Sequence, residues 1–406
     1  MNIRLLVVGF AAAAIACSAA GGAAARSSTQ QDVAFAAAQV AKYSAVPTFV
    51  APGPAFDASQ AKGKSIFIVP ASSGPVGDLA SMSAFTGGIR QAARAAGVKT
   101  STCSNNGTLA AQTSCLTTAV TKKPGLVILV GSSDLVGLRD SLAALKHAGV
   151  PVLATHVLAP ADFTSGVGPV YQQALSGLTA TVSAPFAQAA RLMADYVIAT
   201  ANGASTTIVL SGASDLPESA PMLATVQSEF SAQCGTSCSV STIDVPFATW
   251  QTAAYLAVKK ATLAKSTAYL LPMFDQFDDL AAEGEADARA SLATVTRPSI
   301  CSFGGAPFAI QMGQAANRVV CDVGENMNWD GWATMDQALR VLTGTPPVAS
   351  ENLPLRLWSA GNWFTEGVGL NGMTFPPQID AGWGDPDQYI NGYRALWGLP
   401  ALASSV

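Results

Sequence analysis

The sequence predicts an α/β fold of parallel sheets with helices on both faces. Two observations carry this. Short strands are apolar on both faces, as in Ser65–Val69 (SIFIV), Leu126–Val130 (LVILV) and Val150–Thr155 (VPVLAT). Strands read this way when helices cover both sides of a sheet. Between them lie amphipathic stretches that stop at glycine: Met82–Ala96 stops at Gly97 and Ser133–Ala148 at Gly149. Strand and helix in alternation make βαβ units.

Taken in order, residues 26–63 form an N-terminal spacer that wraps the first domain. Ala34–Tyr43 suits a short helix, and Pro47, Pro52, Gly53 and Pro54 then break regularity. From Lys64 the order is strand, helix Met82–Ala96, strand Val98–Cys103, helix Leu109–Thr121, strand Leu126–Val130, helix Ser133–Ala148 and strand Val150–Thr155. The plan then restarts with a helix over Ala180–Ala201. Strands follow at Thr206–Leu210, Ser239–Asp244, Ala268–Leu271 and Pro298–Phe303, with helices at Ser219–Gln233, Trp250–Leu263 and Phe277–Leu292. A helix (Ala306–Ala315), a strand (Arg318–Val323) and a helix (Asp330–Thr343) ended by Gly344 complete the pattern, before a tail rich in Pro, Gly and Trp.

The start of the chain reads as an export signal. Met1–Arg4 carries one positive charge, and Leu5–Ala16 is apolar over 12 residues. That is short of the ~20 residues a membrane span needs but suits a secretory signal over residues 1–25. Two processing readings stand side by side. Ala14-Ile15-Ala16-Cys17 resembles a lipobox, which would tether the protein to a membrane through a lipidated Cys17. Ala23-Ala24-Ala25 before Arg26 is an ordinary cleavage site. Either places the mature protein in the periplasm or outside the cell. Beyond Cys17 there are six cysteines, in local couples 12, 4 and 20 residues apart. An even number in an exported chain reads as disulfides. Local pairing, Cys103–Cys115, Cys234–Cys238 and Cys301–Cys321, is the simplest of 15 arrangements. The bland alternative is buried free thiols. With no C-x-x-C and only His147 and His156 available, a metal site is not expected.

A chain of 406 residues, half of them hydrophobic, can bury large cores, and its length suggests two domains. The net charge of −4 without a basic cluster argues against nucleic acid.

Four segments, in this order, give a family resemblance. A first helix reads Phe85-Thr86-Gly87-Gly88-Ile89-Arg90-Gln91-Ala92-Ala93 and runs on to Gly97-Val98. Lys123-Pro124-Gly125-Leu126-Val127-Ile128-Leu129 is followed by Gly149-Val150-Pro151-Val152. Ala268-Tyr269-Leu270-Leu271 leads to Asp275. A last helix runs from Gly331-Trp332-Ala333 to Leu342-Thr343-Gly344. From Lys64 to Leu357 the chain resembles the type 1 periplasmic binding proteins, the ribose-binding, sugar-transporter kind. The resemblance implies two Rossmann-like lobes with parallel sheets, joined by three crossover strands, near His156–Pro160, Phe303–Ala306 and Thr345–Pro354. Lobe one would be 64–157 and 304–345, lobe two 158–303 and 346–380, with 381–406 a Trp-containing tail. The implied function is capture of a small polar ligand, a sugar or polyol, between the lobes of a monomer, for delivery to an ABC transporter permease, without a cofactor and without catalysis. Two readings stand beside it: a ligand-presenting protein for a membrane sensor, and an exported α/β hydrolase. The hydrolase has no G-x-S-x-G motif to support it.

The chain departs from the family where the ligand would sit. The strand that usually ends in an Asp-Gly pair here ends Ser302-Phe303-Gly304-Gly305, and a loop containing Ser73 and Asp78 follows the first strand. Ligands of open α/β sheets bind outside the carboxyl ends of the strands, which selects the candidates. Asp275 is a hydroxyl acceptor or the N-cap of the Phe277 helix. Trp250 is a stacking face or core. Glu325, opposing from lobe one, and Asn326 match the family's polar position or form a solvated loop. His156 donates to a ligand or is structural. Asn105 reaches the cleft or makes an Asn-Asn-Gly turn. Met82 is wall or core. Ser73 and Asp78 complete the set.

Overall fold

The computed structural model describes residues 28–71, 80–131, 133–159, 169–212, 216–246, 249–263, 267–291, 298–316, 319–363 and 386–402. Among them are two sheets. The first has the order β2-β1-β3-β4-β5, from Lys99–Thr102 (β2), Ser65–Pro70 (β1), Leu126–Val130 (β3), Val152–Leu158 (β4) and Ala180–Ala184 (β5). The second has the order β11-β10-β9-β8-β6-β7, from Leu355–Ser359 (β11), Val319–Glu325 (β10), Ser299–Gly304 (β9), Tyr269–Pro272 (β8), Ser205–Ser211 (β6) and Cys238–Asp244 (β7). Every pairing is parallel except that of β10 with β11. This is a doubly wound α/β fold in two lobes. The central strands β3 and β9 are buried on both faces, as their apolar runs require.

Helices fill the connections. Lobe one carries α2 (Ala80–Ala95), α3 (Leu109–Lys122), α4 (Arg139–His147) and α5 (Pro169–Ser176); lobe two carries α6 (Phe186–Thr200), α7 (Ser219–Gln233), α8 (Trp250–Leu263), α9 (Asp278–Ser291) and α10 (Pro307–Ala316). The helix α11 (Met327–Thr343) packs against α2 in lobe one. The two helices cross at glycines. A Cβ on Gly331 would lie 2.7 Å from the Phe85 carbonyl and the Ile89 amide, and one on Gly88 would lie 2.5 Å from the Asn328 carbonyl. Backbone atoms cannot swing aside, so Gly331→Val must push the helices apart. The expected cost is about 1–3 kcal/mol or more, read as a lower melting temperature. An unchanged melt would contradict the crossing.

The crossings between lobes differ from expectation at two places. Ala180–Ala201 is not one helix. Ala180–Ala184 is strand β5, with buried residues alternating along it, and Pro185 ends it before α6. The β-branched Thr181 and Val182 favour the strand. The first crossing therefore falls at Ala184–Phe186 rather than His156–Pro160, and the described part of 158–184 belongs to lobe one. Strand β10 pairs with β9 in the second sheet, so the second crossing falls at Glu325–Met327 rather than Phe303–Ala306. Of 304–345, α11 lies in lobe one, while α10 and β10 lie in lobe two. The third connection runs between Gly344 and Leu355, from α11 to β11.

The ends of the chain also differ. The N-terminal helix α1 (Ser28–Ser44) packs on α6 and β11 of lobe two, not on lobe one. The chain then runs to lobe one, where Phe49 sits 4.9 Å from the Tyr393 ring and 6.2 Å from Trp329. The C-terminal helix α12 (Pro386–Leu396) returns to α11, stacking Tyr389 on Trp329 (4.5 Å), with Trp397 on Trp332 (5.4 Å) just beyond its end.

Three disulfides join Cys103 to Cys115, Cys234 to Cys238 and Cys301 to Cys321. The last links the neighbouring strands β9 and β10, where the two cysteines face each other in register. One apolar cluster includes Val127 and Val152 of the first sheet, Phe186 at the crossing, and Val209, Leu271 and Val323 of the second.

Candidate functional site

The carboxyl ends of β4 and β10 meet. Between Thr155 and Val157 the pairing of β4 with β5 slips, and His156 is the residue left over, with φ at +55°. A bulge of this kind re-aims a side chain. The His156 imidazole reaches across to lobe two, where its Nε2 lies 2.8 Å from Glu325 Oε2. Glu325 ends β10 in the second sheet, so it faces lobe one from lobe two and does not oppose from lobe one. Its carboxylate is buried, and its Oε1 has no hydrogen-bond partner among the described residues. Burial alone would lower the His156 pKa, but Glu325, and further off Glu218, outweigh it and the net direction is upward.

Glu218 stands at the turn before α7 and is buried. Its charge also acts on Tyr171 of α5, whose hydroxyl is pushed up to about 12, mainly by burial. The imidazole and the phenol come from lobe one, the two carboxylates from lobe two.

Behind Glu325 lies a second acidic group inside lobe two. Asp275, fully buried, follows β8 and accepts a 2.7 Å hydrogen bond from the Ala306 amide at the start of α10. The Asp278 carboxylate accepts from Ser302 Oγ (2.7 Å), and Asp322 accepts from the Gly305 amide (3.0 Å). Burial raises Asp275 to about 7, opposed by its bonds from Ala306 and Gln276. Burial, and then the nearby Asp275 carboxylate, raises Asp278 and Asp322 well above the usual carboxylate range. Gly304 is needed here: a Cβ on it would lie 2.2 Å from the Asp275 carboxylate. The space beside the end of β9 is thus filled by a carboxylate delivered from the end of β8.

Aromatic rings run along this edge of both lobes. Phe85 lies 6.5 Å from His156, His156 4.8 Å from Phe186, and Phe186 5.9 Å from Phe303. Phe303 is 6.5 Å from Phe274, Phe274 6.2 Å from Phe277, and Phe277 5.9 Å from Trp250. Only His156 and Trp250 in this series are half-buried rather than buried.

Of the sequence candidates, His156 and Glu325 are in contact, and Asp275 and Trp250 lie on the lobe-two side with them. Asn326 caps α11, its side chain accepting from the Trp329 amide at 3.0 Å. Asn105 is buried and ties two loops together, donating to the Pro70 carbonyl (3.0 Å) and accepting from the Gly107 amide. Met82 packs over the end of β3, where a Cβ on Gly131 would lie 3.1 Å from its sulfur. Ser73 and Asp78 lie outside the described residues. Sequence reasoning missed Glu218 and Tyr171. Glu218 was findable, since it closes the loop after the buried strand β6; Tyr171 carried no signal. Among the described residues no His, Cys, Asp or Glu group is arranged to hold a metal ion, and no helix is long and apolar enough to cross a membrane.

No family model matches the chain, and neither does any curated protein sequence. Solved structures do match in fold. An ABC transporter solute binding protein from Agrobacterium vitis with bound allitol is 15% identical, covers 75% of this chain and 97% of its own, and has a TM-score of 0.60. One from Mycobacterium smegmatis with bound glycerol is 15% identical, covering 77% and 98%, also at 0.60. One from Bacillus halodurans with bound myo-inositol is 12% identical, covering 75% and 96%, at 0.58. The fold is that of the sugar- and polyol-binding solute receptors.

Proposed function

We propose that this protein is an extracytoplasmic solute-binding protein that closes its two lobes on a small polyhydroxylated ligand and presents it to the permease of an ABC importer. The observation that carries this is the His156–Glu325 contact: polar groups at the carboxyl ends of strands from both sheets meet beside the second crossing. Open α/β sheets take their ligands at that edge. The structural neighbours with allitol, glycerol and myo-inositol support the ligand class. The leader and the three disulfides support an oxidising location outside the cytoplasm. Anchoring through Cys17 and release after Ala25 are the two forms the leader allows.

A ligand that binds only the folded state stabilises it. In a thermal-shift screen over sugars, polyols and their amino derivatives, at least one compound is expected to raise the melting temperature. That compound should also shrink the radius of gyration in small-angle scattering, as the crossings rotate the lobes together. A binder that leaves the radius unchanged would count against the clamp.

A further inference from the structure

The edge where ligand would bind is one-sided in charge. Among the described residues, those that follow the carboxyl ends of the ten parallel strands, 71, 103–108, 131, 133–138, 159, 185, 212, 216–218, 245–246, 249, 273–277, 305–306 and 326, include no Lys or Arg. The chain has 22 such residues, so chemistry is partitioned here and not merely scarce. On lobe one they gather at the opposite edge: Lys62 and Lys64 precede β1, Lys99 opens β2, Lys122 and Lys123 precede β3, and Lys146 precedes β4. In adjoining elements, Arg90 of α2 reaches back to Thr86 Oγ1 (3.5 Å), and Arg356 of β11 lies over the Trp358 ring at 4.1 Å. His156 is held by Glu325.

The carboxylates at this edge have capacity to spare. Glu325 is 3% exposed, and with one oxygen on His156 its other oxygen, at the junction of the lobes, has no donor among the described residues. Asp275 is 0% exposed and its Oδ1 is likewise without a donor. Glu218 is a third buried acid, and its charge acts on His156 and Tyr171.

We propose that the ligand carries a positive charge, as an amine-bearing polyol or amino sugar, and that sugar acids and sugar phosphates are excluded. This rests on the solute-binding reading above. An ionised carboxylate only accepts hydrogen bonds, and an ammonium only donates them. Bonds between charged partners are the stronger kind. An anion at this edge would meet the buried carboxyl groups of Glu325, Asp275 and Glu218.

The test uses matched trios on the full-length mature protein: glucosamine, glucose and gluconate; serinol, glycerol and glycerate. Affinity is read by calorimetry. In at least one trio the amine is expected to bind about tenfold or more tighter than the neutral member, and the acid not at all. Binding near pH 7 should release protons, seen as a heat that varies with the ionisation enthalpy of the buffer. Glu218→Gln and Glu325→Gln should each weaken the amine several-fold. Equal or tighter binding of the neutral member, or binding of the acid, overturns the inference and leaves the solute-binding reading standing. If no trio and no compound of the wider thermal-shift screen binds, both fall.

Discussion

Replacing Arg340 with alanine is expected to destabilise lobe one by about 3–5 kcal/mol, the usual cost of stripping one partner from a buried ion pair. Arg340 is 1% exposed, and its Nε lies 2.6 Å from Asp336 Oδ2, which is itself fully buried. The guanidinium also donates to the Pro54 carbonyl (3.2 Å) and lies 4.6 Å from the Phe56 ring. The other Asp336 oxygen accepts from the Trp397 indole at 2.7 Å. One side chain thus joins the spacer, α11 and the end of the chain. Glu351 stands close by, its pKa raised well above the usual range by burial and then by Asp336. Without the cation, two acids are left in the interior. At roughly 2–4 °C per kcal/mol for a domain of this size, the melting temperature should fall by about 10 °C. Arg340→Lys keeps the charge but loses the planar contact, so it should fall between. A loss below about 1 kcal/mol for the alanine variant would show that the pair does not hold the layer together.

Stability should also rise on mild acidification, the reverse of the common pattern. Asp275 and Asp195 are each raised from 3.8 to about 7, chiefly by burial; for Asp195 the Glu229 carboxylate adds to it. Asp278, Asp322, Asp330 and Glu351 are raised well above their usual values by the same first cause. A group whose pKa is higher folded than unfolded binds its proton more tightly in the native state. Its contribution is complete below the unfolded value and is lost as pH climbs through the folded one. For Asp275 and Asp195 that window runs from about 4 to about 7. His156, also raised, acts with the same sign, from its ordinary 6.5 upward. Thermal melts should therefore be several degrees higher at pH 5 than at pH 8. Asp195→Asn, which removes a charge that α6 buries against α7, should flatten the profile by stabilising the alkaline side. A melting temperature that rises from pH 5 to pH 8 would refute the assignment of these groups.

The fold was legible where apolar runs were unambiguous. LVILV and SIFIV can only be buried strands beside helices, and the glycines at 97, 149 and 344 mark real helix ends, all at positive φ. The lobe boundaries were not legible, for a local reason. Ala180–Ala184 reads as helix by composition and becomes a strand because the edge of β4 is free to pair with it. Missing β5 moved the first crossing, and assigning β10 to the wrong sheet moved the second and put Glu325 on the wrong lobe. Of the candidate site only position was legible. The rule of the carboxyl edge put His156, Asp275 and Glu325 at strand ends, which is where they lie. It could not foresee that Asn326 is spent on capping α11, or that Asp275 reaches the start of α10, since both depend on how neighbouring loops fold back.

The stretch that follows α1 sets a mechanical limit. The Ser44 carbonyl accepts from Asn362 Nδ2 (3.0 Å), fixing it to lobe two just past β11. The Phe49 amide donates to Gln388 Oε1 (2.7 Å), fixing it to α12 on lobe one. Five residue steps fully drawn out span roughly 17 Å, so while both knots hold those two points can separate no further. Ala45–Thr48 is then a leash of fixed length at the side of the molecule, and it sets how wide the jaws can swing before one of its knots must come undone.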